Sequence, residues 1–151
     1  MSILKRLAQL GIELCPPIKP LGSYRTISKS GNQLYVSGLG PFENGKPVVG
    51  RVGSDIPLAE AIDAARLTML MILACLHEEF NLDEIERCSR LTVYMRAIDS
   101  FTQHAQVANG ASDVLFNLYG PEKLPARSAI GVHTLPLGIP VEIDSVFDLK
   151  L

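Results

Sequence analysis

The residues best suited to chemistry lie near the carboxyl end, in Leu124-Pro125-Ala126-Arg127-Ser128 and in Val141-Glu142-Ile143-Asp144. A guanidinium is planar and permanently charged, so Arg127 can grip a carboxylate through two parallel hydrogen bonds that also fix its orientation. Glu142, on a solvent-facing strand position, is unremarkable by itself, and its partner decides what it can do. Arg127, Ala129, Gly131 and His133 alternate with Ser128, Ile130 and Val132. On a strand this alternation places Arg127 on the face away from the core, over a floor of small residues. On spacing alone Arg127 can equally be an exposed strand arginine in a surface ion pair worth ~0–1 kcal/mol.

The positions of these two residues raise a geometric question. If residues 126–135 and 140–149 form a simple hairpin with Leu135 opposite Pro140, Arg127 pairs with Asp148. It then lies six positions from Glu142, or ~20 Å along the strand. Either a neighbouring chain completes the site, or the two strands are not a simple hairpin. The same register sets His133 opposite Glu142, close enough to tune its carboxylate.

The elements that must carry these residues follow from periodicity. Leu58, Ala61, Ile62, Ala65, Met69, Ile72, Leu73, Leu76 and Phe80 form one stripe of a long helix, with Ser54 or Asp55 as its cap and Pro57 in the first turn. Residues 88–97 alternate as a strand, with Leu91, Val93, Met95 and Ala97 on one face. A second helix starts near Asp99 or Ser100, buries Phe101, Ala105, Ala108, Ala111, Ser112, Leu115 and Tyr119, and stops at Gly120-Pro121. Upstream, Tyr24 to Ser28 and Leu34 to Ser37 read as short strands, and Asn44-Gly45 as a hairpin turn. Residues 1–20 read as an arm: Ile3, Leu4, Leu7 and Leu10 give a short helix, and Cys15-Pro16-Pro17 and Pro20 then forbid helix and central strand. The order β-β-β-α-β-α-β-β over residues 21–151 predicts an α+β fold, a mixed sheet with two long helices on one face.

Composition narrows the function. A chain of 151 residues that is 47% hydrophobic can bury the core of one domain. Fourteen basic residues scattered among sixteen acidic ones give a net charge of −2, and Trp is absent. Nucleic-acid binding needs concentrated positive charge or stacking platforms, so it is not expected. Cys15, Cys75 and Cys88 have no CxxC or metal-ligand spacing, so reduced thiols are expected and a zinc site is not. No secretory signal or long apolar run is legible, which points to the cytoplasm. P-loop, GxGxxG, GxSxG and HExxH patterns are all missing.

Six segments together carry a resemblance: Gly22-Ser23-Tyr24, Leu34-Tyr35-Val36-Ser37-Gly38, Val107-Ala108-Asn109, Pro125-Ala126-Arg127-Ser128, Leu135-Pro136 and Val141-Glu142-Ile143. In order and spacing they resemble the Rid/YjgF family of enamine/imine deaminases, over about residues 20–149, in a subgroup with an extra amino-terminal segment. The resemblance implies a chorismate-mutase-like fold and a homotrimer with sites in clefts between subunits. It implies hydrolysis of a 2-imino acid of the 2-aminoacrylate type to a 2-keto acid and ammonia, without a cofactor. Arg127 would then bind the substrate carboxylate and Glu142 would position or activate water. Tyr24, Ser37, the backbone at Gly38, and Asn109 would line the pocket. The pattern departs at Ala129, where the best-studied deaminases carry a cysteine. That departure leaves a non-catalytic sensor of small carboxylates or keto acids as a rival reading. An endoribonuclease, a label carried by some relatives, is disfavoured by the acidic balance.

Overall fold

Alternating apolar positions set the sheet, and the computed structural model describes it together with the rest of residues 1–151. β1 (Ile27–Ser30) and β2 (Gln33–Leu39) form an antiparallel pair across Gly31-Asn32. A two-residue hairpin follows, β3 (Phe42–Glu43) and β4 (Lys46–Pro47), with Asn44 and Gly45 at φ 51° and 76°. Positive φ at both turn residues matches the twist of the flanking strands, as the Asn-Gly pair predicted. Then come α2 (Leu58–Glu79), β5 (Ile85–Arg96), α3 (His104–Tyr119), β6 (Ala126–Val132) and β7 (Val141–Leu149).

The five main strands are ordered β1-β2-β7-β5-β6, with β5 and β6 parallel and the other neighbours antiparallel. Val141, Ile143 and Phe147 of β7 and Leu91, Val93 and Met95 of β5 are fully buried in one core with α2 and α3. The helix-free face carries Tyr35, Thr92, Tyr94, Glu142, Asp144 and Val146. The expected α+β fold with two long helices on one face is therefore present.

The last two strands are not a hairpin. β6 runs beside β5 in parallel, whereas β7 inserts between β2 and β5, so Arg127 is in register with Leu91 and Glu142 with Tyr94. Burial accounts for this choice. β7 buries every second residue almost completely and needs a central place, while β6 contains no fully buried residue and serves as an edge.

Two helix starts also differ from expectation. Asp55 accepts a hydrogen bond from the Arg51 amide at 2.7 Å and closes that turn, so α2 begins at Leu58 without a side-chain cap. α3 begins at His104, four or five residues later than its polar start signal, and Val107, Val114 and Leu118 join Ala108, Ala111 and Leu115 in its core line, leaving Ala105 exposed. The two helices meet at Gly110, where any Cβ would run into the carbonyl of Ile62. A glycine is required there for backbone approach.

α1 (Ile3–Gln9) starts at Ser2, whose Oγ accepts from the Lys5 amide at 3.2 Å. It is tied to the domain by the Ile3 amide donating to Asp83 Oδ1 at 2.7 Å, by Arg6 Nε donating to the Asn117 carbonyl at 2.9 Å, and by buried Leu7. No helix is long and apolar enough to cross a membrane.

Candidate functional site

The candidate residues fall into two groups. The first is built on a β-bulge: Val36 pairs with Ser145 and Leu39 with Ile143, so Ser37 and Gly38 together face Asp144. Bulges bend a strand and re-aim its groups. Here the bulge brings the Gly38 backbone against Glu142, whose carboxyl carbon would lie 2.9 Å from a Cβ at position 38. A Cβ there would push that flexible carboxylate end aside. Ser37 Oγ donates to the Arg25 carbonyl at 2.7 Å, and the Tyr24 hydroxyl accepts from the Leu21 amide at 3.2 Å. Tyr24, Gly38 and Glu142 line one cavity of about 270 Å3, together with Ile18 to Leu21, where the arm joins the domain, and the turn at Pro136-Leu137.

Glu142 is half-buried, and burial pushes its carboxyl above the ordinary carboxylate range, with the neighbouring Asp144 charge adding to the rise. Asp144 in turn accepts from the Tyr94 hydroxyl at 3.2 Å. Burial and the Asp144 charge also raise the Tyr94 phenol. Such an environment makes Glu142 a better proton acceptor than a solvated glutamate.

The second group surrounds Arg127, on the other side of the sheet. Arg127 Nη1 donates to Asn109 Oδ1 at 2.8 Å and to Ser112 Oγ at 3.0 Å, and Nη2 donates to the Ala105 carbonyl at 3.3 Å. All three acceptors belong to α3. The expectation that Arg127 faces away from the helices is therefore corrected. Parallel pairing puts it level with fully buried Leu91, on the helix side, where the edge position of β6 lets its side chain reach the flank of α3. The small-residue floor is also partly filled. Ala129 packs against the core, and Gly131 lies beneath the His104 ring.

Three donations leave two guanidinium N–H groups, one on Nε and one on Nη2, enough for both oxygens of a carboxylate. The ion pairs Arg25–Glu79, Arg66–Asp63 and Lys123–Glu86 do not involve Arg127. It is a positioned cation without an acidic partner in its own chain. Ser112 in this role was missed by sequence reasoning, which placed it in the helix core, although its spacing from Asn109 puts both on one helix flank.

Arg127 and Glu142 do not meet. They lie two strands and three register positions apart, on opposite faces, at ~14 Å along the sheet. The proposed His133–Glu142 pairing is corrected as well, because β5 separates the two strands. His133 lies instead in a cleft with His104 and Asp99.

Comparison with known proteins fits this geometry into a family. A family described as "YjgF/chorismate_mutase-like, putative endoribonuclease" matches residues 4–142. The chain belongs to the Rid/YjgF family. Protein TCP17 of Trypanosoma cruzi is 35% identical over 98% of this chain and 94% of its own length. A crystal structure described as a "putative endoribonuclease" of Shewanella oneidensis is 28% identical, with TM-score 0.94 over 99% of this chain and all of that one. RidA of an Antarctic Psychrobacter shares the fold less closely, with 24% identity and TM-score 0.61 over 89% of this chain and 94% of that one. The first two matches span the arm, and the family match itself begins inside it.

Proposed function

We propose that this Rid/YjgF protein hydrolyses 2-imino acids, formed from enamines such as 2-aminoacrylate, to 2-keto acids and ammonia. The observation that carries this reading is Arg127 itself, oriented by Asn109 and Ser112, lacking a carboxylate partner and holding two N–H groups free for one. Arg127 grips the substrate carboxylate and orients the adjacent imine carbon. Water attacks that carbon while Glu142 takes a water proton. Glu142 passes that proton to the nitrogen, and the carbinolamine then collapses: its hydroxyl proton moves to the nitrogen as the C=O bond forms and the C–N bond breaks, releasing ammonia and the keto acid. This sequence uses no metal or organic cofactor.

The site is completed between subunits of a homotrimer. The support is the separation of the two groups within one chain and a helix-free sheet face with exposed Tyr35 and Ile130. On this reading Arg127, Asn109 and Ala129 of one subunit face Tyr24, Ser37, Gly38 and Glu142 of the next. A cytoplasmic setting suits three free thiols, of which Cys75 and Cys88 are buried.

Ala129, in place of the deaminases' cysteine, favours a second reading: a sensor that binds small carboxylates without turnover. The test is 2-aminoacrylate generated in situ, with ammonia and keto acid followed for wild type and Arg127→Ala. Fast release by wild type alone is the expected result. Equal rates from both proteins reject the role of Arg127, and saturable binding without release selects the sensor.

A further inference from the structure

The arm and the turn before β7 give the Glu142 cavity a composition that the proposed chemistry does not require. Ile18 of the arm and Leu21 just after it line it together with Leu39, Phe42, Leu137 and Ile139, around Glu142 as its one carboxylate. Leu39 and Ile139 are buried, whereas Leu21 and Leu137 are 71% and 54% exposed. Leu137 also holds a left-handed backbone, φ 59° and ψ 9°. A leucine disfavours this conformation, which glycine or asparagine adopts freely. The turn that imposes it is clamped from outside. The Gly138 carbonyl accepts from the Gly50 amide at 3.0 Å and from Arg96 Nη1 at 3.4 Å. Backbone strain at a cavity rim points to a side chain kept for what it touches.

We infer that Leu21 and Leu137 form an apolar subsite beside Glu142 that accepts the branched aliphatic side chain of a 2-imino acid, such as the imine of leucine. This inference rests on the deaminase reading. A cavity of about 270 Å3 is larger than the methylene of 2-aminoacrylate needs. Each added methylene that leaves water for such a wall strengthens binding on the order of tenfold. Lys19 also lines the cavity and is its one cation, so an acidic side chain is the competing occupant.

The test compares kcat/KM of the full chain for imines generated enzymatically from alanine, leucine and glutamate. The leucine imine is expected to exceed the alanine imine by at least ~10-fold. Leu137→Gly relieves the left-handed strain, so it should keep or raise the melting temperature while erasing that ratio. Leu21→Ser, at an exposed position, should reduce it. A ratio unchanged in both variants, a preference for the alanine imine, or a preference for the glutamate imine overturns the inference. If no imine is turned over, the deaminase reading fails separately. Binding of 4-methyl-2-oxopentanoate against pyruvate then decides the subsite: a preference for the longer acid that Leu137→Gly abolishes sustains it, and equal binding rejects it.

Discussion

Arg127 is held by α3 before any ligand arrives, and this preorganisation makes its removal costly. Hydrogen bonds to charged groups contribute ~1.5–3 kcal/mol each, so losing a two-bond grip in Arg127→Ala should lower kcat/KM roughly 100-fold or more. Asn109→Ala leaves the charge but loosens its aim, and should raise KM more than it lowers kcat. The raised carboxyl of Glu142 makes two pH predictions. In the proposed mechanism its ionised form is the base, so kcat/KM should climb through the raised value, and Asp144→Asn should move that limb to lower pH. For stability the sign is opposite. The folded chain favours the protonated carboxyl, so this contribution is present below the ordinary value of ~4.3 and lost as pH rises through the raised one. Denaturation of Glu142→Gln across pH should therefore show a gain over wild type above that window and none below it.

At the scale of elements, the contact of α2 with α3 depends on Gly110. Gly110→Ala forces the helices apart and should cost ~1–3 kcal/mol in chemical denaturation, although alanine is the better helix former. The helices and most strands were legible because their periods differ: the stripe from Leu58 to Phe80 and the alternation from Leu91 to Met95 each admit one element. Strand partners were not legible. Alternation along 126–132 says which residues share a face, but not which face is covered, and so Arg127 was assigned to the wrong side. The clue lay in the order strand-helix-strand, which favours parallel neighbours and places β6 beside β5. The candidate residues, Ser37-Gly38 and Asn109 among them, can be named from the sequence, but not where they stand relative to one another. The bulge that presses Gly38 against Glu142 depends on pairing with β7, and nothing local encodes it. The strained Leu137 was hidden for a similar reason, since its conformation is imposed by Gly50 and Arg96, far away in sequence.

For the whole molecule, each chain presents half of the proposed site at two places. A closed ring of three would join each Arg127 to the Glu142 cavity of its neighbour, giving three equivalent sites. Native mass spectrometry should then find a mass of about 49 kDa, three times the 16.4 kDa chain. The most direct test is complementation. Arg127→Ala and Glu142→Gln, each inactive alone, are unfolded together, mixed one to one and reassembled. If the site is shared, roughly a quarter of the interfaces regain both residues, and activity should return to about that fraction of wild type. A mixed assembly, verified by mass, that stays as inactive as its parents would contradict a site built between subunits.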